Sequence, residues 1–366
     1  MTISTASQRL CELLDIEWPI VQAPMAGTST PAMAAAVANA GGLGSLGVGA
    51  MRPDAAEAAI RAFRERSTGP LNVNVFCHRP ARADHARQAA WLERLRPEFE
   101  RVGAQPPESL DEIYTSFIDD AAMFDLLLAV RPKVVSFHFG LPRQAWIRAL
   151  RDAGIVLFGT ATNRDEARAL VAAGIHAVIA QGWDAGGHRG IFDPDGDDNQ
   201  LGTFVLTRLL VHELDVPVIA AGGIMDGSAI AAALRLGASA AQLGTAFVAC
   251  DESAADEGYH RALFSDAAHH TVMTRAISGR PARCLANRFT ALGERVEPSA
   301  VPCYPLAYDA GKALHTAAKA TGEYGFGAQW AGQGAPLARA LPAGALMERF
   351  IAELDDANID KRQVRP

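Results

Sequence analysis

Two histidines stand where an imidazole could do chemistry. His188 follows a glycine pair in the stretch Gln181-Gly182-Trp183-Asp184-Ala185-Gly186-Gly187-His188-Arg189-Gly190, directly after the apolar run Ala177–Ala180. Glycines let backbone approach a ligand and reach positive φ. A titratable ring after them, at the C-terminal end of a buried strand, suits an acid, a base or an anion-binding group. A tight turn carrying a solvated His–Arg pair would give the same letters. His138 closes a second apolar run, Lys133-Val134-Val135-Ser136-Phe137-His138. Ser136 beside it lacks the GxSxG surroundings of a nucleophile elbow.

A second chemistry is written in glycines. Gly222-Gly223 follows the run Val216–Ala221, Gly237 precedes Ala240–Phe247, and Gly244-Thr245 lies at the end of that run. Backbone N–H groups exposed at such places bind phosphate.

These residues need a frame. Runs at 19–24, 43–47, 71–76, 133–138, 155–161, 177–181, 216–221 and 240–247 read as eight strands, apolar on both faces. Helical stretches follow most of them, with Ser29 or Thr30, Asn163 and Asp226 as N-caps and Pro31 at a first helical position. The pattern predicts an α/β fold of the (β/α)8 TIM-barrel type. Glycine signals after the seventh and eighth strands sit where such barrels hold phosphates. The rhythm breaks between Arg79 and Ala129, read as helices over 82–101 and 118–130 around a proline-containing segment. From Asp251 to Pro366 no strand is expected, only helices, one of them over 336–355. The division expected is a barrel of 1–78 and 130–250, with 79–129 and 251–366 as a helical insertion and a helical C-terminal extension forming a lid over the mouth.

The chain has 366 residues, 49% of them hydrophobic and 20% charged, with a net charge of −7. That is a globular composition, and with no Lys/Arg block it argues against nucleic-acid partners. The five cysteines are scattered, without a CxxC pair, so no zinc site or disulfide framework is indicated. Met1–Leu14 lacks the apolar core of a signal peptide. The segment 229–250 reads as a buried helix and strand rather than a membrane span. A cytoplasmic protein with reduced thiols, without a membrane partner, monomeric or homodimeric, is expected.

Several motifs fail. Gly42-Leu43-Gly44-Ser45-Leu46-Gly47 fits GxGxxG by letters, but a helix precedes it and the glycines lie in a strand, so it is no dinucleotide fingerprint. Asp193, Asp195 and Asp197 begin like a calcium loop, yet Asp198 and Phe204 fill its glycine and bidentate positions. His269-His270 has no partner at metal-ligand spacing and is expected at the surface.

With the barrel in place, further stretches converge. Gln22-Ala23-Pro24-Met25-Ala26-Gly27-Thr28-Ser29-Thr30-Pro31 resembles the opening motif of the nitronate monooxygenases. Asn72-Val73-Asn74-Val75-Phe76-Cys77-His78-Arg79-Pro80 is similar to their third strand. Ser136–Gly140 and the Gln181–Gly190 decamer resemble the two histidine motifs of the bacterial class I enzymes. Segments 220–227 and 242–247, the tail around Tyr308 and Lys312, and 328–334 match as well. The resemblance implies an FMN barrel oxidising alkyl nitronates, propionate 3-nitronate among them, with O2 to a carbonyl compound and nitrite, a detoxifying reaction. It implies FMN against Ala23, Pro24, Met25, Asn74, Gln181, Gly186, Gly223, Gln242, Gly244 and Thr245. It implies substrate against Tyr114, His138, Tyr308 and Lys312, with His188 as the catalytic histidine and no metal. The alternative is an FMN-dependent NADH:quinone or enoyl-thioester reductase on the same barrel.

Overall fold

The computed structural model describes residues 4–82 and 84–363, the last six as backbone only. Ala83, expected in the helix over 82–101, lies outside the described residues, as do the two ends of the expected domain division. Among the described residues eleven strands run in chain order: β1 (Ile20–Gln22), β2 (Gly44–Gly47), β3 (Leu71–Phe76), β4 (Val134–His138), β5 (Val156–Ala161), β6 (Ala177–Gln181), β7 (Gly187–His188), β8 (Val218–Ala221), β9 (Ala240–Leu243), β10 (Thr271–Thr274) and β11 (Ala282–Leu285). Eight of them form one parallel sheet in the spatial order β1-β9-β8-β6-β5-β4-β3-β2, and a bridge between Val21 and Leu43 brings its two edges together. This is the predicted α/β TIM-type barrel.

Fourteen α-helices lie among the described residues: α1 (Thr5–Leu14), α2 (Pro31–Asn39), α3 (Pro53–Arg64), α4 (His85–Arg101), α5 (Ala121–Val130), α6 (Gln144–Asp152), α7 (Arg164–Ala173), α8 (Thr203–Glu213), α9 (Gly227–Arg235), α10 (Thr245–Val248), α11 (Glu257–Leu263), α12 (Arg288–Gly293), α13 (Leu306–Ala320) and α14 (Ala343–Gln363). Local chemistry starts them. The Thr30 hydroxyl accepts from Met33 N, Asn163 caps α7 through Glu166 N, and Asp226 caps α9 through Ala229 N. Ser29, the other candidate cap, accepts from Met25 N instead and holds the first strand-to-helix loop.

The strands are buried on both faces because each packs inward on its neighbours' side chains and outward on helices. The interior layer of Val21, Val134, Phe158, Ile179 and Ile219 is closed by Leu10 and Leu14 of α1. Those two leucines are fully buried, each contributing about 2 kcal/mol of transfer free energy. Trp91, Leu95 and Phe99 of α4 share one apolar cluster with Ile277, Phe289, Leu314 and Phe326 from the tail. Insertion and tail therefore pack on each other.

Three expectations need correction. The tail does contain strands: β10 pairs with β11, and β11 pairs with β7, as an antiparallel sheet apart from the barrel. These segments are two to four residues long, too short to show a period, and β11 finds its partner about a hundred residues away in sequence. The eighth barrel strand ends at Leu243, where Gly244 leads into the short helix α10, so it does not run to Phe247. The last helix begins at Ala343 rather than near 336, because residues 335–337 form a single 3-10 turn. His269 and His270 are exposed, as expected.

Candidate active site

All fifteen residues named from the sequence line one cavity of about 550 Å³ at the C-terminal ends of the strands. Gly237 is the signal that does not join them. It terminates α9 at φ +102° before β9 and so lies toward the opposite end of the barrel.

One part of the cavity is a backbone cradle. Gly222 and Gly223 follow β8 with φ of +128° and +67°, a region that favours glycine. At Gly186 a Cβ would come within 2.4 Å of Gly332 N, so the β6 loop and the tail touch there backbone to backbone. Thr245 Oγ1 accepts from the same Gly332 N at 3.0 Å. A Cβ on Gly244 would meet Ala23 Cβ at 3.4 Å, with Met25 Sδ at 3.7 Å. Gln242 Oε1 is buried in this wall without a partner. A bare carbonyl oxygen beside a glycine cradle is a donor-seeking site, and these residues fit a flavin with its phosphate.

Two residues assigned to the cofactor are also tied to protein. Asn74 Nδ2 donates to Ser136 Oγ at 2.9 Å. Gln181 donates from Nε2 to the His188 carbonyl at 3.0 Å and accepts Gly190 N at 2.7 Å, so it shapes the loop that carries His188.

The other part of the cavity is aromatic and imidazole-rich. His188 is not on a free loop: as part of β7 it pairs with Ala282 of β11. Its Nε2 lies 2.9 Å from Ser278 Oγ. With the Ser278 hydroxyl hydrogen directed to the Arg280 carbonyl at 3.2 Å, Nε2–H donates to Ser278 and Nδ1 keeps its lone pair. Burial above all, then the charge of Arg280, holds the imidazole well below the ordinary histidine range.

His138 is spent differently. Its Nε2 meets the His188 carbonyl at 3.2 Å, so that nitrogen carries the hydrogen, and Nδ1 faces Thr160 Oγ1 at 3.1 Å. Burial brings it down to about 4. Both ring nitrogens hold protein groups, and the ring fixes the His188 backbone.

Tyr114 and Tyr308 meet edge to face at 5.9 Å. The Lys312 ammonium sits over both rings, at 5.2 and 5.3 Å. Burial pushes both phenols up, so they are O–H donors at neutral pH. Trp330 donates to the Tyr308 hydroxyl at 3.3 Å, and its ring stands 5.0 Å from His188.

Sequence reasoning left several neighbours unassigned. Tyr304 packs against His188 at 5.4 Å, and its buried hydroxyl has no partner among the described residues. His78, Phe139, Ser278 and Arg280 surround the same ring cluster. Tyr304 stands four residues before Tyr308, in the turn that leads into α13, and its closeness in sequence to Tyr308 was the available signal. Ser278 and Arg280 carried none, because only the β11–β7 pairing brings their segment beside His188.

Comparison with known proteins bears on which chemistry this wall serves. The family model described as nitronate monooxygenase matches residues 7–353. The chain belongs to the nitronate monooxygenase family. It is 59% identical to a nitronate monooxygenase of Paraburkholderia phytofirmans over 99% of both chains. It is 52% identical to a nitronate monooxygenase of Pseudomonas aeruginosa, covering 95% of this chain and 99% of that one. Among solved structures, nitroalkane oxidase from Streptomyces ansochromogenes superposes with a TM-score of 0.87 at 41% identity, covering 96% of this chain and 99% of that one. As a member of the nitronate monooxygenase family the protein is an oxidoreductase. Among the described residues no group of metal-ligating side chains is clustered, and no helix is long and apolar enough to cross a membrane.

Proposed function

We propose that the cavity binds FMN and that the protein oxidises alkyl nitronates, propionate 3-nitronate among them, with O2 to a carbonyl compound and nitrite. The observation that carries this reading is the pairing, in one cavity, of a glycine cradle with a wall of neutral imidazole, phenol and ammonium. Bound flavin would accept the electrons of the nitronate and pass them to O2. Gly223, Gly244, Thr245 and the unpaired Gln242 oxygen would hold it, with Ala23, Pro24, Met25, Asn74, Gln181 and Gly186 shaping the enclosure.

The chain's own groups do the rest. The Lys312 ammonium reaches the site from an exposed side chain, and the more buried phenols of Tyr114, Tyr304 and Tyr308 stand beside it; together they hold an anion by charge and hydrogen bonds. His188, uncharged at neutral pH, takes the proton from a neutral nitroalkane at Nδ1; a nitronate arrives already deprotonated and needs no base. His138 keeps the His188 backbone in place. The insertion over 79–129 and the tail from 251 onward act as a lid on the barrel of 1–78 and 130–250. The role is detoxifying, and the setting is cytoplasmic.

Purified protein should be yellow and release a flavin bearing one phosphate. Oxygen uptake with propionate 3-nitronate is set beside NADH oxidation with a quinone, and each reductant is mixed anaerobically while flavin absorbance is followed. Rapid bleaching by NADH with no response to the nitronate replaces this reading with a flavin-dependent reductase. A colourless preparation that FMN does not reconstitute removes both.

A further inference from the structure

Behind the cavity wall, and outside its lining, lies a buried cation. Arg280 is 2% exposed. One terminal nitrogen donates to the Ile191 carbonyl, while Nε has no partner. Among the described residues no carboxylate ion-pairs with it. A guanidinium withdrawn from water without a carboxylate is costly, so its charge calls for an explanation. Burial brings its own pKa down to about 10, which still leaves it protonated at neutral pH.

The guanidinium lies over the Phe139 ring, its carbon 4.1 Å from the ring centre. Three imidazoles pack around the same ring, with centroids at 4.4 Å (His138), 5.7 Å (His188) and 6.4 Å (His78). Two of these contacts with Phe139, 4.1 Å to the cation and 5.7 Å to His188, bound that pair within about 10 Å of one another, a range over which charges interact through a protein interior. The groups facing His188 are Ser278, Tyr304, Tyr308, Trp330, Phe139 and the other two histidines. None is a carboxylate; Glu166 and Asp193 act on the Arg280 charge itself, without an ion pair to it.

We propose that Arg280 is a positioning residue for His188: its buried guanidinium, stacked on Phe139, keeps the imidazoles of His78, His138 and His188 uncharged, so that the cavity presents a neutral base and leaves anion attraction to Lys312. Burial disfavours the imidazolium in its own right, and Arg280 adds to it. The backbone serves the same end, since the Arg280 carbonyl receives the Ser278 hydroxyl that stands on His188 Nε2. The charge relation is a property of the folded chain. Its consequence for turnover rests on the nitronate-oxidation reading.

The test is a 15N NMR titration of the full-length protein, as purified, with labelled histidine and with His188→Asn to assign the signal. Wild-type His188 should titrate well below the ordinary histidine range. Arg280→Gln, which keeps a donor for the Ile191 carbonyl, should raise its midpoint by about one pH unit, and Arg280→Lys should leave it near wild type. An unchanged midpoint in a folded Arg280→Gln protein overturns the proposal. Arg280→Met is the second charge-free variant. An unchanged midpoint there overturns the proposal too, and so does a wild-type His188 midpoint near the ordinary histidine value of about 6.5. In parallel, the acid limb of kcat/KM for a neutral nitroalkane should move with the NMR midpoint. A moved midpoint with an unmoved acid limb upholds the charge relation and removes His188 as the base.

Discussion

His188 and Lys312 divide the work at the scale of single residues, and each can be removed separately. Asparagine at 188 keeps an amide near Ser278 but offers no basic nitrogen. His188→Asn should lower turnover by about a hundredfold or more while flavin content is unchanged. Unaltered turnover with full flavin would shift the role elsewhere on the wall. His138 is poorly placed to take it, since both its ring nitrogens are held by Thr160 and the His188 carbonyl. Lys312 supplies charge where the phenols supply only hydrogen bonds. Lys312→Met leaves Tyr114 and Tyr308 in contact with an apolar stem and should raise KM about tenfold for a nitronate bearing a carboxylate. A neutral nitroalkane should be almost unaffected, and steady-state kinetics on the two substrates measures the split. Equal losses on both would mean that the lysine acts through packing.

At the scale of elements, the tail meets the β6 loop largely backbone to backbone. Gly332 meets Gly186 and donates to Thr245, and Gln333 N donates to the Asp184 carbonyl at 2.9 Å. No flexible group stands between the two segments to absorb an added atom. Gly186→Ala should therefore push the tail off the β6 loop, lowering flavin content and Tm together by several degrees. A variant with wild-type flavin content and Tm would show that this contact does not hold the cradle. The same kind of approach fixes α14: a Cβ on Gly227 would meet Leu354 N and Phe350 O, each at 2.4 Å, so α9 and α14 pack almost backbone to backbone.

For the whole molecule, the buried histidines link stability to pH. His78 and His138 are each lowered to about 4 by burial, below the ordinary value of about 6.5 that they regain on unfolding. Between those values the unfolded chain binds more protons than the native one, so stability falls as pH falls. The contribution is complete above pH 6.5 and is lost toward pH 4, at up to about 1.4 kcal/mol per histidine per pH unit. Urea midpoints at pH 7, 6 and 5 should decrease in that order. Equal midpoints at the three values would mean that these imidazoles titrate alike in both states.

The sequence by itself determined the barrel and the floor of the site. Strands buried on both faces, such as 134–137, 156–158 and 177–180, show near-continuous apolar runs, while 71–76 alternates with Asn72 and Asn74, and the caps at Thr30, Asn163 and Asp226 act within a few residues of where they stand. His138, His188, Gly222-Gly223 and Gly244 end or directly follow strands, so the parallel topology alone brings them to one mouth. The helix α1 was not anticipated, although Ser7, Leu10, Cys11 and Leu14 repeat at helical spacing, and its place as a plug depends on the closed barrel beneath it. Tertiary structure alone decided the remainder. β10 and β11 exist because β7 and β11 pair across the cavity edge, and four residues cannot announce such a pairing. The Phe139 stack, the Ser278 contact and the buried charge of Arg280 join segments about 90 to 140 residues apart. Their chemistry follows from packing and loss of water, which no local run of letters records.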